Sequence, residues 1–555
     1  MTTASTASTG FTARGAGPAD PVAVVGNGPV GQTTALLLAR WGVPVVLLDR
    51  RPERDPIGSK AICQQRDVLD VWEAVGAGAR IAAEGVTWTT ARTFYRDHEL
   101  FAYTLPDHGR SAFPPFVNLS QARTEEILDE RIAAEPLIDV RWGHEVTGIT
   151  EGPGHVELAC GTERVRASYV VACAGARGDD VRRMLGVSFE GHSFDDRFLI
   201  CDIRTDLPGW STERRFYFDP AWNPGRQVLI HPCPGSTFRI DWQVPADYDL
   251  AQEEADGTLD RRIRRIIGDR GYEIVWKSVY RFHSRVADRL RAGRVLLAGD
   301  CAHLVAPFGA RGLNSGVADA ENAAWKLAFV LHGWAPERLL DSYHAERHAA
   351  ARENLDVTSA TMRFLVPRTD EDRERRRAVL DRAVTDSSAW PEVDSGRLAE
   401  PFWYSDSPLT TPDPERARAV RPPRGSLPPP APGTLVPDAP VRVAGRDGRF
   451  RELARDGFLL LTTPGADGGD AAEAARRCAA PVRVLDLAAI DRTGTLAETL
   501  AVTPGEVWVI RPDAHVAAVV RGGTAAVSAA LRKAMSLPEL PAGKEEDHGV
   551  LPAGR

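Results

Sequence analysis

The chain has 555 residues, 43% hydrophobic and 26% charged, which is enough apolar material for about three or four units of ordinary domain size. A formal net charge of -8 argues against a surface built for nucleic acid or an anionic membrane. Without a run of about 18 uninterrupted apolar residues, nothing is expected to span a bilayer.

Residues 1–20 are rich in Thr, Ala, Ser and Gly and lack the apolar stretch of a secretory signal. They predict a disordered tail, with a transit peptide as the alternative. The seven cysteines (Cys63, Cys160, Cys173, Cys201, Cys233, Cys301, Cys478) are scattered, with no CxxC pair and no Cys/His group at zinc-ligand spacing. Buried thiols in a reducing cytoplasm are expected, and no metal.

Residues 22–26 read as a short buried strand, followed by a Gly-rich turn, an Ala/Leu-dense helix over 29–41 and a second apolar run over 43–48 that ends in Asp49. This is the spacing of a βαβ unit. Between about 185 and 285 the texture changes to short aromatic and β-branched segments (214–218, 226–231, 238–244) separated by Pro/Gly/Asn turns, which predicts antiparallel strands. Helical patterns return from 315 to about 365, interrupted near 333–336. Residues 401–440 are dense in proline, including Pro428, Pro429, Pro430 and Pro432, and predict a linker or a surface-hugging crossover. Beyond them, apolar runs at 458–461, 482–487 and 507–510 alternate with helical stretches at 468–478 and 524–535, predicting a small separate α/β domain.

Gly26-Asn27-Gly28-Pro29-Val30-Gly31 is a GxGxxG turn between strand and helix. Gly26 permits the tight turn, Gly28 lets a pyrophosphate approach the backbone, and Gly31 lets the helix pack on the sheet. The helix N-terminus then offers N–H groups and partial positive charge to phosphates. Asp49, 18 residues after Gly31, is placed to accept hydrogen bonds from ribose hydroxyls. The turn alone leaves FAD and NAD(P) both open.

A second motif selects between them. An apolar strand over 295–298 ends in Gly299-Asp300, and the chain continues to Pro307-Phe308-Gly309-Ala310-Arg311-Gly312-Leu313-Asn314 before a long helix predicted to begin near Asn314 or Ser315. With the Asp319-to-Leu327 helix segment, the Asp341-to-Arg347 segment, the early stretch Lys60-Ala61-Ile62-Cys63-Gln64-Gln65-Arg66 and Ser120-Gln121-Ala122-Arg123, the sequence resembles the flavoprotein aromatic hydroxylases of the para-hydroxybenzoate and phenol hydroxylase type. The closer resemblance is to the 3-(3-hydroxyphenyl)propionate hydroxylase-like branch. The resemblance implies that FAD is the cofactor, with Asp300 on its ribitol chain, Pro307 shaping the space near flavin C4a, and the backbone of Gly312, Leu313 and Asn314 facing N1 and O2 of the ring. It also places Arg50, Gln65, Gln121 and Val146 on FAD. A helix N-terminus beside N1 suits the negative charge of a reduced flavin.

Two positions depart from the family pattern. Where a third family site usually reads Asp-Gly, this chain has Ala174-Gly175, and Arg182 follows one position late. In the flavin loop, Ala310-Arg311 replaces the commoner Gly-Gln. The Arg311 guanidinium therefore reads either as a group beside the flavin or the substrate, or as a solvent-facing one.

Tyr217, Trp222, His231, Arg239 and Trp242 are candidate substrate residues in the aromatic-rich sheet, alongside Phe216 and Phe218. An alternating strand exposes only one face to a cavity, so they cannot all line it. Pro307, Arg311, Tyr217 and His231 are the candidate catalytic residues. The chemistry implied by the resemblance is reduction of FAD by NADPH or NADH, reaction with O2 and transfer of one oxygen atom to a small aromatic substrate. The alternatives are another flavin oxygenation (Baeyer–Villiger insertion, epoxidation or oxidative rearrangement) and a flavin-binding protein without turnover. The expected fold is α/β. It comprises a Rossmann-type FAD-binding domain (21–185 and 286–400) interleaved with an antiparallel-sheet substrate domain (186–285), and, after the 401–440 linker, a thioredoxin-like α/β domain (441–545) lacking CxxC. A cytoplasmic monomer or homodimer is expected.

Overall fold

Strand Val22–Val25 is buried at every position, as is Val45–Asp49, the pattern of parallel strands covered on both faces. Helix Pro29–Arg40 between them starts with a proline at its first position, where the missing N–H costs nothing. These observations come from a computed structural model that describes residues 20–55, 61–105, 107, 111–393, 398–416 and 429–539. The expected tail (1–19), Lys60 and Pro428, and the end of the C-terminal domain (540–545) lie outside the described residues.

The βαβ unit is the middle of a six-stranded sheet in the order Arg291–Ala292, Val295–Leu297, Tyr169–Ala172, Val22–Val25, Val45–Asp49, Ile138–Trp142. Every pairing is parallel except that of Arg291–Ala292 with its neighbour. The glycine turn, Asp49, the 173–178 loop and Gly299-Asp300 therefore leave the sheet at one edge, the carboxyl edge where parallel sheets hold ligands.

The second sheet has eight strands, in the order His303–Leu304, Glu273–Ala287, Phe189–Arg204, Thr237–Val244, Gln227–Cys233, Glu213–Phe218, Thr90–Tyr95, His98–Thr104. It reaches beyond the 186–285 segment expected from sequence, because the hairpin over 90–104 adds two strands, joined in parallel to Glu213–Phe218. Its two faces differ. One packs Leu199, Val228, Ile230, Ile240 and Trp242 under helix Thr258–Ile267, whose Leu259, Ile263 and Ile267 recur at helical spacing. The other carries Phe198, Phe216, Phe218 and Leu229 against Ala306 and Phe308. Both sheets belong to a unit that runs to His332 and resumes over Tyr343–Phe402.

The remaining described residues form a second unit. Its four-stranded sheet runs Val482–Asp486, Phe458–Thr462, Val507–Ile510, Val516–Val520, with the first pairing parallel and the other two antiparallel. Residues 403–416 and 429–440, read from composition as linker, are part of this unit, and Val436 and Ala439 lie in its core. Proline content forbids a ladder there, but Gly433 and Val436 donate to the carbonyls of Val516 and Ala514, so irregular backbone is buried without losing its hydrogen bonds. Among the described residues no helix is long and apolar enough to cross a membrane.

Candidate cofactor and substrate site

The three glycines of the turn are distinguished by what a side chain would strike. A Cβ on Gly26, whose φ is +108°, would sit 2.3 Å from the Cys173 carbonyl oxygen, and one on Gly31 would sit 1.9 Å from that of Gly26. A Cβ on Gly28 would meet nothing within 4 Å. The backbone is thus pressed to the sheet at two points and open at the third, where an anion can approach the side-chain-uncapped start of helix Pro29–Arg40. Val30 ties this turn to the distant segment, since Cβ atoms on Gly299 and Gly316 would lie 3.0 and 2.6 Å from its Cγ2.

Asp49 closes the second strand, but the chain itself already occupies its carboxylate. Oδ2 accepts from the Asn27 backbone N–H at 2.7 Å, and Oδ1 accepts from the backbone N–H and Nε of Arg51 at 2.9 and 3.0 Å. Burial opposes ionisation of Asp49, and these bonds with the Arg51 charge outweigh it, holding the carboxyl below its ordinary range. The arginine at this end is Arg51, whereas Arg50, expected here from sequence, is exposed. Arg54, which the sequence reading missed, donates to Asn27 Oδ1 at 2.9 Å and pairs with Glu125 and Asp129 on helix Gln121–Ala133. Gln121 accepts from the Ala61 N–H at 3.2 Å, and Val146 is buried just past strand Ile138–Trp142.

At the other end, strand Val295–Leu297 leads into a turn in which Gly299 has a φ of +59° and Asp300 is half-buried. The long helix spans Arg311–Leu331, so it begins three residues earlier than the earliest start expected from sequence. Ala310, at φ +58°, precedes it with no side-chain cap, which puts Gly312 and Leu313 in a first turn lacking a protein side chain for its N–H groups. Asn314 uses its side chain on the protein: Oδ1 accepts from the Gln65 N–H at 3.0 Å, and Nδ2 donates to the Cys63 carbonyl at 3.0 Å. Arg311 is 2% exposed and donates to Asn354 Oδ1 at 2.7 Å and to the Leu398 carbonyl at 2.9 Å. The solvent-facing reading of Arg311 is therefore corrected. Pro307 is exposed on the loop ahead of the helix.

Beneath this loop Asp319, fully buried and missed from sequence, accepts from the Gly299 N–H at 2.9 Å, from His303 Nε2 at 2.7 Å and from Arg347 Nε at 2.6 Å. At the departed family position, Ala174 precedes a loop anchored by Arg182, which is 3% exposed, donates to the Cys301 carbonyl at 2.9 Å and lies over the Phe189 ring.

The substrate residues divide between the faces of the large sheet. Tyr217, Trp222 and Trp242 pack with the cluster under helix Thr258–Ile267, away from Phe308, so their assignment to the cavity is corrected. Alternation explains it, since Tyr217 lies between Phe216 and Phe218, which point the other way. Tyr217→Phe should leave turnover and stability nearly unchanged, within about 0.5 kcal/mol. A large loss of substrate affinity in steady-state kinetics would restore Tyr217 to the site. His231 and Arg239 do face the side of Phe308. Arg239 is spent on Asp202, however, with Nε–Oδ1 at 2.7 Å and Nη2–Oδ2 at 2.8 Å. Phe308 packs against Phe198, Phe282 and Phe216, with ring centroids at 5.7, 6.1 and 6.3 Å.

Residues 20–358 match the family model described as FAD binding domain, and residues 429–538 match the one described as aromatic-ring hydroxylase, C-terminal. The chain belongs to this FAD-binding family. A 3-(3-hydroxy-phenyl)propionate/3-hydroxycinnamic acid hydroxylase of Mycobacterium sp. (strain KMS) is 30% identical over 67% of this chain. The chain spans 64% of the length of that relative. A 6-methylpretetramide 4-monooxygenase of Streptomyces rimosus is 30% identical over 96% of both chains. The crystal structure of the flavin-dependent monooxygenase PieE, in complex with FAD and substrate, is similar in fold, with a TM-score of 0.81 at 24% identity over 94% of this chain and 100% of that one.

The cofactor is FAD, and the residues present fit it. Gly28 is open beside the uncapped start of helix Pro29–Arg40, and two buried polar atoms have no partner among the described residues: Asn27 Nδ2 in the glycine turn, and Oε1 of Gln65, whose backbone N–H donates to Asn314 in the first turn of the second uncapped helix.

Proposed function

We propose that the protein is a monooxygenase that uses NADPH or NADH and O2 to hydroxylate a phenolic or polyketide-like aromatic molecule. The observation that carries this is the aromatic wall of Phe308, Phe216, Phe198 and Phe282, which continues directly from the Pro307 loop into the uncapped helix start. A planar ring held there lies beside the segment assigned to the isoalloxazine. Gly28 and the start of helix Pro29–Arg40 would take the pyrophosphate, Asp300 the ribitol hydroxyls, and the N–H groups of Gly312 and Leu313 the N1/O2 edge, where they stabilise negative charge. FAD, when bound, supplies the oxygen-activating chemistry, and the protein supplies orientation and exclusion of water.

The family relatives named above act on a hydroxyphenylpropionate or hydroxycinnamic acid and on a methylpretetramide, both consistent with a ring-hydroxylating role. A cytoplasmic location, where a nicotinamide reductant is at hand, is part of the proposal and is supported by seven cysteines that are all free thiols. The second unit is read as thioredoxin-like and structural. Its sheet, with one parallel and two antiparallel pairings, supports that reading, and its one cysteine, Cys478, has no partner for dithiol chemistry.

The test is anaerobic reduction followed by turnover under ¹⁸O2. NADPH or NADH should bleach the flavin absorbance, faster with a substrate phenol present, and the product should carry one ¹⁸O atom. Failure of both nicotinamides to reduce the flavin would remove the hydroxylase reading and leave a flavin-binding protein.

A further inference from the structure

Arg311 opens the long helix, a position where the positive end of the helix dipole disfavours a cation, and at 2% exposure little solvent screens the charge. Its guanidinium reaches two neutral acceptors. Nη1 donates to Oδ1 of Asn354, on helix Asp341–Leu365, at 2.7 Å, and Nη2 donates to the Leu398 carbonyl at 2.9 Å. The neighbouring Ala399 donates its N–H to the Gly309 carbonyl at 2.6 Å. Leu398 and Ala399 therefore form a strap bonded to the loop that leads into the helix. Both pack, together with Ala310, against the cluster of Ile62, Cys63, Trp88 and Phe116.

A polar seam continues from Arg311 toward the other end of the cofactor site. Arg311, Ser315 and Asp319 recur at four-residue spacing on one face of their helix, and Arg347 and Asn354, seven apart, share a face of the other. Asn354 Nδ2 donates to Ser315 Oγ at 3.2 Å, and Arg347 Nη2 donates to the same oxygen at 3.2 Å. Arg347 Nε then reaches Asp319, the acceptor for the Gly299 N–H. Hydrogen bonds thus run without a break from the strap to the turn that presents Asp300.

We propose that Arg311 is a positioning residue for the flavin ring. It moors the Leu398–Ala399 strap to the helix start, and the seam couples that start to the Gly299-Asp300 turn, so the ring and ribitol ends of the site shift together. The proposal rests on the flavin placement proposed above and adds to it the residue that fixes the ring end. Gly312 and Leu313 stabilise negative charge on a reduced flavin only while their N–H groups stay aimed at the N1/O2 edge. Ala310, at φ +58°, is a strained entry to that turn, and two bonds hold it from the strap side, Arg311 on Leu398 and Ala399 on Gly309. Asn314 holds the turn separately, through Cys63 and Gln65. A lysine ammonium lacks the planar fork that spans two fixed acceptors at once, so charge alone does not reproduce the mooring.

The experiment compares the FAD-loaded parent with Arg311→Met, Arg311→Lys and Asn354→Ala. Spectroelectrochemical titration gives the flavin potential, which reports affinity for reduced relative to oxidised FAD. Hydrogen exchange read by mass spectrometry follows the backbone of 299–303 and 309–313. Arg311→Met should weaken reduced relative to oxidised FAD by roughly 10-fold. Arg311→Lys, which keeps the charge and loses the fork, should behave like Arg311→Met, and Asn354→Ala should shift the same way by less. Exchange should quicken in both segments together. If Arg311→Met does not fold, Arg311→Lys and Asn354→Ala carry the test. A parent-like potential in Arg311→Lys assigns the role to charge and overturns the proposal, as does exchange quickened in 309–313 alone. A merely structural role would lower the melting temperature and leave the potential where it was. A folded parent that takes up no FAD removes the flavin placement and the proposal together, whereas FAD bound at a potential indifferent to every variant removes the proposal alone. Product formation by the parent reports on the monooxygenase reading independently.

Discussion

Asp319→Ala is expected to cost about 3–5 kcal/mol of stability and to empty the protein of FAD. The carboxylate is fully buried and is the common acceptor for the Gly299 N–H, His303 and Arg347. Its loss takes the Asp319 carboxylate away from the Arg347 guanidinium, which is 2% exposed, and frees the backbone turn that presents Asp300. Burial disfavours the ionised form of Asp319, but His303 and Arg347 outweigh burial, so its folded pKa lies below the ordinary value of 3.8. The sign follows. The stabilisation is fully present above the unfolded pKa, near pH 4, and is lost as pH falls through the lower folded value. Denaturant melts at pH 7 should show the full loss for the variant, and the gap between variant and parent should narrow on acidification. A variant as stable as the parent that keeps its flavin would show that Asp319 braces nothing.

The second large effect separates two glycines of one motif. Gly31→Ala drives a methyl to within 1.9 Å of the Gly26 carbonyl oxygen, an overlap that only backbone movement relieves, and should destabilise the domain by about 1–3 kcal/mol or more while abolishing FAD uptake. Gly28→Ala places its methyl in open space, so the apoprotein should melt like the parent. FAD affinity should nevertheless fall, because that space is the one assigned to the pyrophosphate. Melting curves of apoproteins with FAD titrations distinguish the two. Equal FAD affinity in Gly28→Ala and the parent would move the pyrophosphate elsewhere.

Features dictated by local spacing were legible in the sequence. The glycine turn, the strand ending at Asp49, the Gly299-Asp300 turn and the strands near 214–218, 227–233 and 237–244 all follow from periodicity and turn chemistry. Features decided by tertiary pairing were not. The hairpin over 90–104 joins its sheet through a parallel pairing with a strand more than a hundred residues away, which no local pattern announces. The face of the sheet assigned to Tyr217 and Trp242 depended on which side helix Thr258–Ile267 covers. The helix segments that carried the family resemblance face each other in the structure. Asp319 pairs with Arg347, and Glu346 takes Lys326 at 2.6 Å and Asn322 at 2.8 Å, so these motif residues brace the cofactor loop from below. Buried charged residues on a helix were a signal available in the sequence, because Asp, Lys, Glu and Arg at core positions are retained only in pairs.

One FAD is expected to be held by both the glycine turn near residue 26 and the loop from Asp300 to Asn314. The most direct measurement is titration of the deflavinated, folded protein with FAD, followed by flavin fluorescence, in the parent and in Asp300→Ala. The parent should saturate at one FAD per chain, and Asp300→Ala should bind far more weakly while its apoprotein still folds and melts cooperatively. A folded parent that takes up no FAD, or an Asp300→Ala variant that binds it as tightly as the parent, contradicts the account.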